Sequence, residues 1–452
     1  MTMKSNTLLN NVKKRIIPAL SDKQDMKDFT AELISACSKT YKPIICGSVG
    51  KDTWLSHRRE ADMFMIFSPN ITKKQLEIRG LSAGKKITKK LGGKWKLAYS
   101  EHPYLQALFK FRGKEYEVDL VPAFGISNPS KIKSAVDRTP HHMKFILKNL
   151  QAVDDVRLLK QFCIGQECYG ADLKVLGFSG YLCELLIVKY GSFIKLVRAA
   201  SKWKPGKTIL VTNRKPTRKF DTSLIVIDPV DPARNVAAVV SPEKFFKFVK
   251  ACQSFLKTPK ITHFFPAPVQ PLTISELKTK LTKRGTSLLI IKFSKSRVLD
   301  DILWAQMRKS LRILEKRITD AGFEVLETGS WMDNKNIVLL FEMEDTKVSK
   351  VKKKIGPYVK SKSAHYFLEH YKDTAFVQGK RWVVEVPREF TSLEKFITHY
   401  THITPKKLRL RGIPSKLLSM NKSKIEIIPT KTTVTKTLPK DFFQYLRKWF
   451  KK

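Results

Sequence analysis

The chain has 452 residues, room for roughly two to four domains with their own cores, and its 42% hydrophobic content is that of a globular protein rather than a disordered basic tail. Its 86 Lys and Arg against 40 Asp and Glu leave a formal charge of +46, so the default partner is a polyanion such as nucleic acid. The 6 cysteines include no C-x-x-C pair and sit mostly in apolar runs, which excludes a disulfide-stapled secreted domain; with no secretory or membrane-length apolar run, a cytoplasmic protein is expected.

In chain order, residues 23–38 have helical periodicity, and residues 43–46 form a short strand leading into the turn Gly47-Ser48. Gly47 lets the backbone approach a phosphate, and the Ser48 hydroxyl and nearby N–H groups suit phosphate oxygens. A helix near Thr53 is expected next. Glu60 and Asp62 then open EADMFMIF, whose apolar residues on both faces predict a central strand. Positions i and i+2 of a strand point the same way, so the two carboxylates suit a divalent cation beside a nucleoside triphosphate. Without a cation or hydrogen bonds, acids at such a place are costly to bury.

A basic helix over residues 73–91 and strands over 95–98 and 104–111 lead to EYEVDLVPAF. There Glu115, Glu117 and Asp119 share one face, and Tyr116, Val118 and Leu120 the other. A neighbouring strand that sets Asp119 beside Glu60 and Asp62 completes a three-carboxylate site for two magnesium ions; periodicity leaves Glu117 open as the third ligand. The pattern turns helical over residues 153–193, in RLLKQF and FSGYLCELLIVKYGSF, then strand-like in LIVIDPVDP and helical over 242–256. Cys163 and Cys168 with His141 and His142 have poor spacing for zinc.

The proline-rich FFPAPVQPL reads as a linker to a further unit, with strands over 288–293, 337–342 and 382–386 and helices over 301–321 and 346–355. In the last 50 residues, 14 Lys or Arg stand against only Glu426 and Asp441. The terminal DFFQYLRKWFKK predicts a helix whose Phe442, Phe443, Tyr445, Trp449 and Phe450 pack on their own domain, leaving Arg447, Lys448, Lys451 and Lys452 to meet phosphates.

Taken together, GSVGKDTWL, EADMF, EHPY, EVDLVP, KSAVDRTPHH, RLLK, GFSGYLCELLIVKYGSF and DPVDPARNVAA resemble the archaeal-type, class I CCA-adding enzymes, and the likeness in order covers nearly the whole chain. The two carboxylate motifs belong to a larger superfamily, whereas SAVDRTP, FSGYLCELLIVKYGSF and DPVD-x-x-RNVAA are much narrower. The resemblance implies a multidomain α+β fold. Its parts would be a mixed-sheet, DNA polymerase beta-like nucleotidyltransferase catalytic domain over 1–140, a mainly helical nucleotide-pocket domain over 141–262, and an α/β tRNA-binding body and tail over 263–452.

The activity it implies is template-independent addition of C, C and A to the 3′ end of tRNA from CTP and ATP, with magnesium as cofactor. Glu60, Asp62 and Asp119 would hold the metal, and Ser48, Lys51, Lys160 and Tyr169 the triphosphate. His102, Arg138, Thr139 and His142 would line the ribose and phosphate side, and Arg234 would read the base, an ion pair with Asp228 or Asp231 being the competing role. Ala61 is smaller than the branched residue usual between the two acids, and Arg58 and Arg59 put unusual positive charge before them. A poly(A) polymerase-like terminal transferase and a non-catalytic RNA-binding protein stand as alternatives, and assembly as a homodimer is left open.

Overall fold

The computed structural model describes residues 3–99, 102–295, 298–401, 424–428 and 435–451, and the chain divides into two compact units, Met1–Ala267 and Pro268–Lys452. The first unit begins with helices α1 (Met3–Ile16) and α2 (Leu20–Ser35), followed by a mixed sheet interrupted by α3 (Lys73–Lys90). Its strands are β1 (Lys42–Cys46), β2 (Glu60–Phe67), β3 (Lys94–Tyr99), β4 (Pro103–Phe111) and β5 (Lys114–Phe124), in the order β1-β2-β5-β4-β3. Only the β2–β5 pair is parallel, and both strands are interior. One sheet face closes over α2 and α3 with Met26, Phe29, Met63, Met65, Leu76, Val118 and Leu120. A capping box between Thr72 and Gln75 starts α3.

The remainder of this unit is mainly helical: α4 (Thr139–Asn149), α5 (Val153–Gly165), α6 (Gly180–Tyr190), α7 (Phe193–Ala200) and α8 (Pro242–Lys257), with the parallel pair β6 (Lys207–Leu210) and β7 (Leu224–Ile227). Its core contains Leu158, Phe162, Leu185, Leu186, Phe193, Phe248 and Phe255. Helix α6 is apolar nearly all round, as a helix surrounded by other elements must be. Leu9, Val12 and Ile16 of α1 join this helical core rather than the sheet.

Thr53 lies in a loop, not the helix expected from sequence. Tertiary contacts override local propensity there: Arg157 of α5 donates to the carbonyls of Trp54, at 2.9 Å, and Asp52, while Lys160 donates to that of Thr53 at 3.1 Å. Backbone acceptors that a helix would satisfy internally are instead satisfied by two cationic side chains.

In the second unit α9 (Ile274–Arg284), β8 (Ser287–Ser294), α10 (Asp300–Asp320), β9 (Val325–Met332) and β10 (Asn336–Met343) precede a smaller sheet of β11 (Val351–Tyr358), β12 (Ala375–Gln378) and β13 (Arg381–Pro387). Helix α11 (Ala364–Tyr371) falls within the smaller sheet, and α12 (Leu393–Thr401), β14 (Lys424–Ile428) and α13 (Lys440–Trp449) follow it. The larger sheet has the order β14-β8-β10-β9. The helix expected over residues 346–355 is corrected to β11, which pairs antiparallel with β13 and sets Lys353 opposite Glu385. Cross-strand charge and the β-branched partners Val383 and Val384 decide this lysine-rich run, whose own periodicity is ambiguous. On α13, Phe442, Leu446 and Trp449 are buried, so the terminal aromatics pack at home as expected. Among the described residues no helix is long and apolar enough to cross a membrane.

Candidate active site

The parallel register of β2 and β5 sets Glu60 opposite Glu117 and Asp62 opposite Asp119. Opposed residues on neighbouring strands share a face about 4.8 Å apart. The row continues across β4 and β3 to Gln106 and Lys96, so Asp62, Asp119, Gln106 and Lys96 form one line across the sheet. Gln106 Nε2 donates to Asp119 Oδ1 at 3.1 Å.

Desolvation, then the charge of Asp62, pushes the Asp119 carboxyl up to about 7, despite the hydrogen bond from Gln106. Asp62 is raised for the same first reason, with Lys51 opposing. These are acids short of positive charge, which is the condition a divalent cation relieves. Among the described residues no three acidic, imidazole or thiol groups gather tightly enough to hold an ion by themselves.

Gly47 explains the turn beside this ledge. It has φ +61°, and a Cβ there would lie 1.6 Å from Asp62 Oδ2, so only glycine lets the loop close on the carboxylate. Gly47, Ser48, Lys51, Glu60, Asp62, Thr139, His142, Lys160, Tyr169, Gly180, Tyr181 and Glu184 line a cavity of about 280 Å³. Helix α6 begins at its wall, with Ser179 capping Leu182 N at 3.1 Å, so the positive end of the helix faces the space. Arg58 lies 3.5 Å from Glu60 and 5.3 Å from the Tyr169 ring centre, and Arg59 reaches Asp22 at 3.5 Å. The two arginines before the acids therefore have separate partners.

Behind His142 a second acid collects donors. Asp228 Oδ2 meets His142 Nε2 at 2.9 Å and Arg234 Nη1 at 2.8 Å, while its Oδ1 accepts from Val230 N at 2.9 Å and Tyr181 Oη at 3.3 Å. Burial opposes ionisation of Asp228, but these donors and charges win and hold it at about 2. Burial pulls His142 below its ordinary value, and its ring stacks on Tyr181 with centroids 4.1 Å apart. Asn235 secures the loop by accepting from Val226 N at 2.8 Å and Ala237 N at 2.9 Å. The DPVDPARN motif is thus a scaffold that presents Arg234 at the edge of the site.

The fold brings Ser48, Lys51, Glu60, Asp62, Thr139, His142, Lys160 and Tyr169 to one cavity, with Asp119 one strand away and Arg234 joined through Asp228. Arg138 instead pairs with Asp231 at 2.9 Å, and His102 lies at the start of β4 outside the cavity wall. In the second unit Arg447 is engaged by Glu276 at 2.8 Å and the Pro271 carbonyl at 3.1 Å; Lys448 and Lys451 are exposed, and Lys452 lies outside the described residues. His141 binds the Ile126 carbonyl at 2.8 Å and Cys163 and Cys168 are buried as free thiols, so those four residues form no zinc site.

Sequence reasoning missed Gln106, Tyr181, Glu184 and Arg157. Glu184 carried a signal: it is the one acid inside the apolar run YLCELLIV.

A carboxylate ledge on a mixed sheet, beside a glycine turn and a lysine-walled cavity, defines the class of nucleotidyltransferases. Residues 154–265 match the family described as tRNA nucleotidyltransferase, second domain, and residues 284–408 match CCA-adding enzyme, C-terminal domain. Over 89% of its length the chain is 36% identical to the CCA-adding enzyme of Methanosarcina mazei, covering 87% of that protein. It is 32% identical to that of Archaeoglobus fulgidus, over 88% of this chain and 90% of the other. For Sulfurisphaera tokodaii the figures are 33%, 91% and 100%. The chain belongs to the archaeal-type CCA-adding enzymes, tRNA nucleotidyltransferases that act with divalent metal on tRNA and nucleotide substrates.

Proposed function

We propose that this chain adds C, C and A to the 3′ end of tRNA from CTP and ATP in the cytoplasm, with Glu60, Asp62 and Asp119 holding magnesium. The observation that carries the residue assignment is the lateral pairing of Asp62 and Asp119 beside a cavity that holds Lys51 and Lys160, both acids raised by burial. Magnesium held there by Glu60, Asp62 and Asp119 would supply the positive charge that favours ionisation of the primer hydroxyl and balances the leaving pyrophosphate.

The side chains do the rest. Asp119, on the strand next to Gln106, is the acid near the primer hydroxyl in this reading. Ser48, Lys51, Lys160, Tyr169 and the start of α6 bind the triphosphate. Thr139 and His142 line the ribose side, and Arg234, oriented by Asp228, offers its remaining donors to the base. His102 and Arg138 flank this arrangement. Recognition of tRNA rests on the shape and phosphates of its A-form acceptor stem, with Lys448, Lys451 and their neighbours in the basic tail contributing charge. The catalytic, pocket and tRNA-binding roles divide at about residues 140 and 262.

The test is incorporation of separately labelled CTP and ATP into tRNA lacking its CCA end. Ordered addition of three nucleotides supports the reading. Long A tails would make the chain a poly(A) polymerase, and binding without addition would make it an RNA-binding protein.

A further inference from the structure

Glu184 is the least expected group in the cavity. A site for a polyanion gains nothing from a carboxylate of its own, yet Glu184 lines it and is only 1% exposed. Its Oε2 receives Lys51 Nζ, and its Oε1 receives Thr53 Oγ1 at 2.7 Å and Lys160 Nζ at 3.4 Å. Lys160 is 2% exposed and also donates to Thr53 Oγ1 at 2.9 Å and to the Thr53 carbonyl at 3.1 Å. Three charged heads and one hydroxyl thus share a nearly dry volume.

The two lysines differ in what else holds them. Lys160 is fixed on three oxygens from two chain segments, and burial pulls its ammonium below the ordinary value while Glu184 opposes that pull. A buried ammonium stripped of its carboxylate either loses its proton or leaves the site. Lys51 rides on the glycine loop, donates to Glu184, faces the Tyr181 ring at 5.8 Å from its centre, and acts on Asp62 through its charge alone. It is the cation free to change partners when a stronger anion arrives.

We propose that Glu184 is the positioning residue of the triphosphate subsite: it anchors Lys160 as a permanent cation and stores Lys51 for transfer to the incoming phosphate chain. The proposal rests on the reading of this cavity as the nucleotide site. With the carboxylate in place the trio carries a single net positive charge, so the empty pocket avoids the repulsion of two adjacent ammoniums, and the full attraction of Lys51 is released only to a ligand charged enough to take it from Glu184. Glu184 touches no reacting atom in this arrangement. It sets how strongly the site distinguishes a triphosphate from a monophosphate.

The experiment uses the full-length enzyme and its Glu184→Gln, Glu184→Asp and Thr53→Val variants. Affinities are measured for CTP, CMP and tRNA, together with KM and kcat for CTP and ATP. Glu184→Gln is expected to weaken CTP about tenfold while moving CMP and tRNA affinity less than about twofold, so that the CTP-to-CMP ratio collapses. The loss should appear in KM for CTP and ATP alike, with the CTP-over-UTP preference kept and Glu184→Asp restoring part of the ratio. Thr53→Val, which removes only the shared hydroxyl, should lower the same ratio about threefold and keeps the idea testable if the glutamine variant does not fold. Unchanged or tighter CTP binding in Glu184→Gln, or equal loss of CTP and CMP, overturns the proposal. A wild-type enzyme that binds CTP no better than CMP overturns the reading of the cavity itself, a result distinct from failure of the Glu184 role.

Discussion

Each unit of the chain places carboxylates on a sheet, and the two units treat them in opposite ways. In the second unit Glu342 on β10 accepts from Arg284 Nε at 2.6 Å, Arg284 Nη2 at 3.1 Å and Thr286 Oγ1 at 2.8 Å. Glu426 on β14 likewise receives Thr435 N at 2.7 Å and Thr435 Oγ1 at 3.2 Å. In the first unit Asp62 and Asp119 lie side by side, both raised by burial and Asp119 also by the charge of Asp62, with Gln106 as the neutral donor to Asp119. An acid with a complete set of donors is part of the framework. An acid left short of positive charge is a candidate for a ligand that brings it.

The largest effect should separate these classes by activity. Asp62→Ala or Asp119→Ala should lower nucleotide addition by about a thousandfold or more, since several kcal/mol of charge stabilisation leave with the ligand, while tRNA binding in a filter assay stays near wild type. Near-normal turnover by a folded variant would return both acids to the framework class. Asp228 is the boundary case, an acid bonded to His142 and Tyr181 of the cavity wall with its donors supplied. If Arg234 is more than its counter-ion, Arg234→Ala should cut the CTP-over-UTP preference about tenfold and Lys should rescue little, because a point charge cannot reproduce planar donors. Unchanged selectivity, read from competing incorporation, would leave Arg234 an ion-pair partner.

Glu342→Ala should cost roughly 1–3 kcal/mol in chemical denaturation with kcat untouched, the reverse of the Asp62 result. A fall in kcat at constant stability would erase the distinction. The smallest effect concerns protons. The carboxyl of Asp119 titrates at about 7 in the folded protein, against about 3.9 in an unfolded chain. Between those values the native state keeps a proton that the unfolded state has released, so this group's contribution to metal-free stability falls as pH rises from about 4 to about 7. In chelator, Asp119→Asn should therefore melt a few degrees higher than wild type at pH 8 and equally near pH 4. A difference independent of pH would mean that Asp119 is not short of positive charge.

The acid ledge was legible because strand periodicity is local. Alternation around Asp62 and Asp119 shows which way each points, and the fold only had to set the two strands in register. What was hidden depends on partners far along the chain. Thr53 and Lys51 meet Glu184 across more than 130 positions, and α5 delivers Arg157 and Lys160 to a loop that by itself reads as a helix. The lysines of β11 gave the same difficulty, since their strand character comes from β13. Likewise, the competing roles of Arg234 share one guanidinium: Asp228 takes one nitrogen and orients the others.

The approach of Gly47 to Asp62 has a consequence for how this very basic protein responds to its medium. Contacts between Lys or Arg and RNA phosphates are ionic and weaken as salt rises. The spacing between the glycine turn and the carboxylate is set by atoms in van der Waals contact, the bare Cα of Gly47 against the Asp62 side chain. Hard contact has no counterions to release. Ionic strength should therefore decide how often a tRNA is engaged, while the separation of turn and acid stays the same in each encounter.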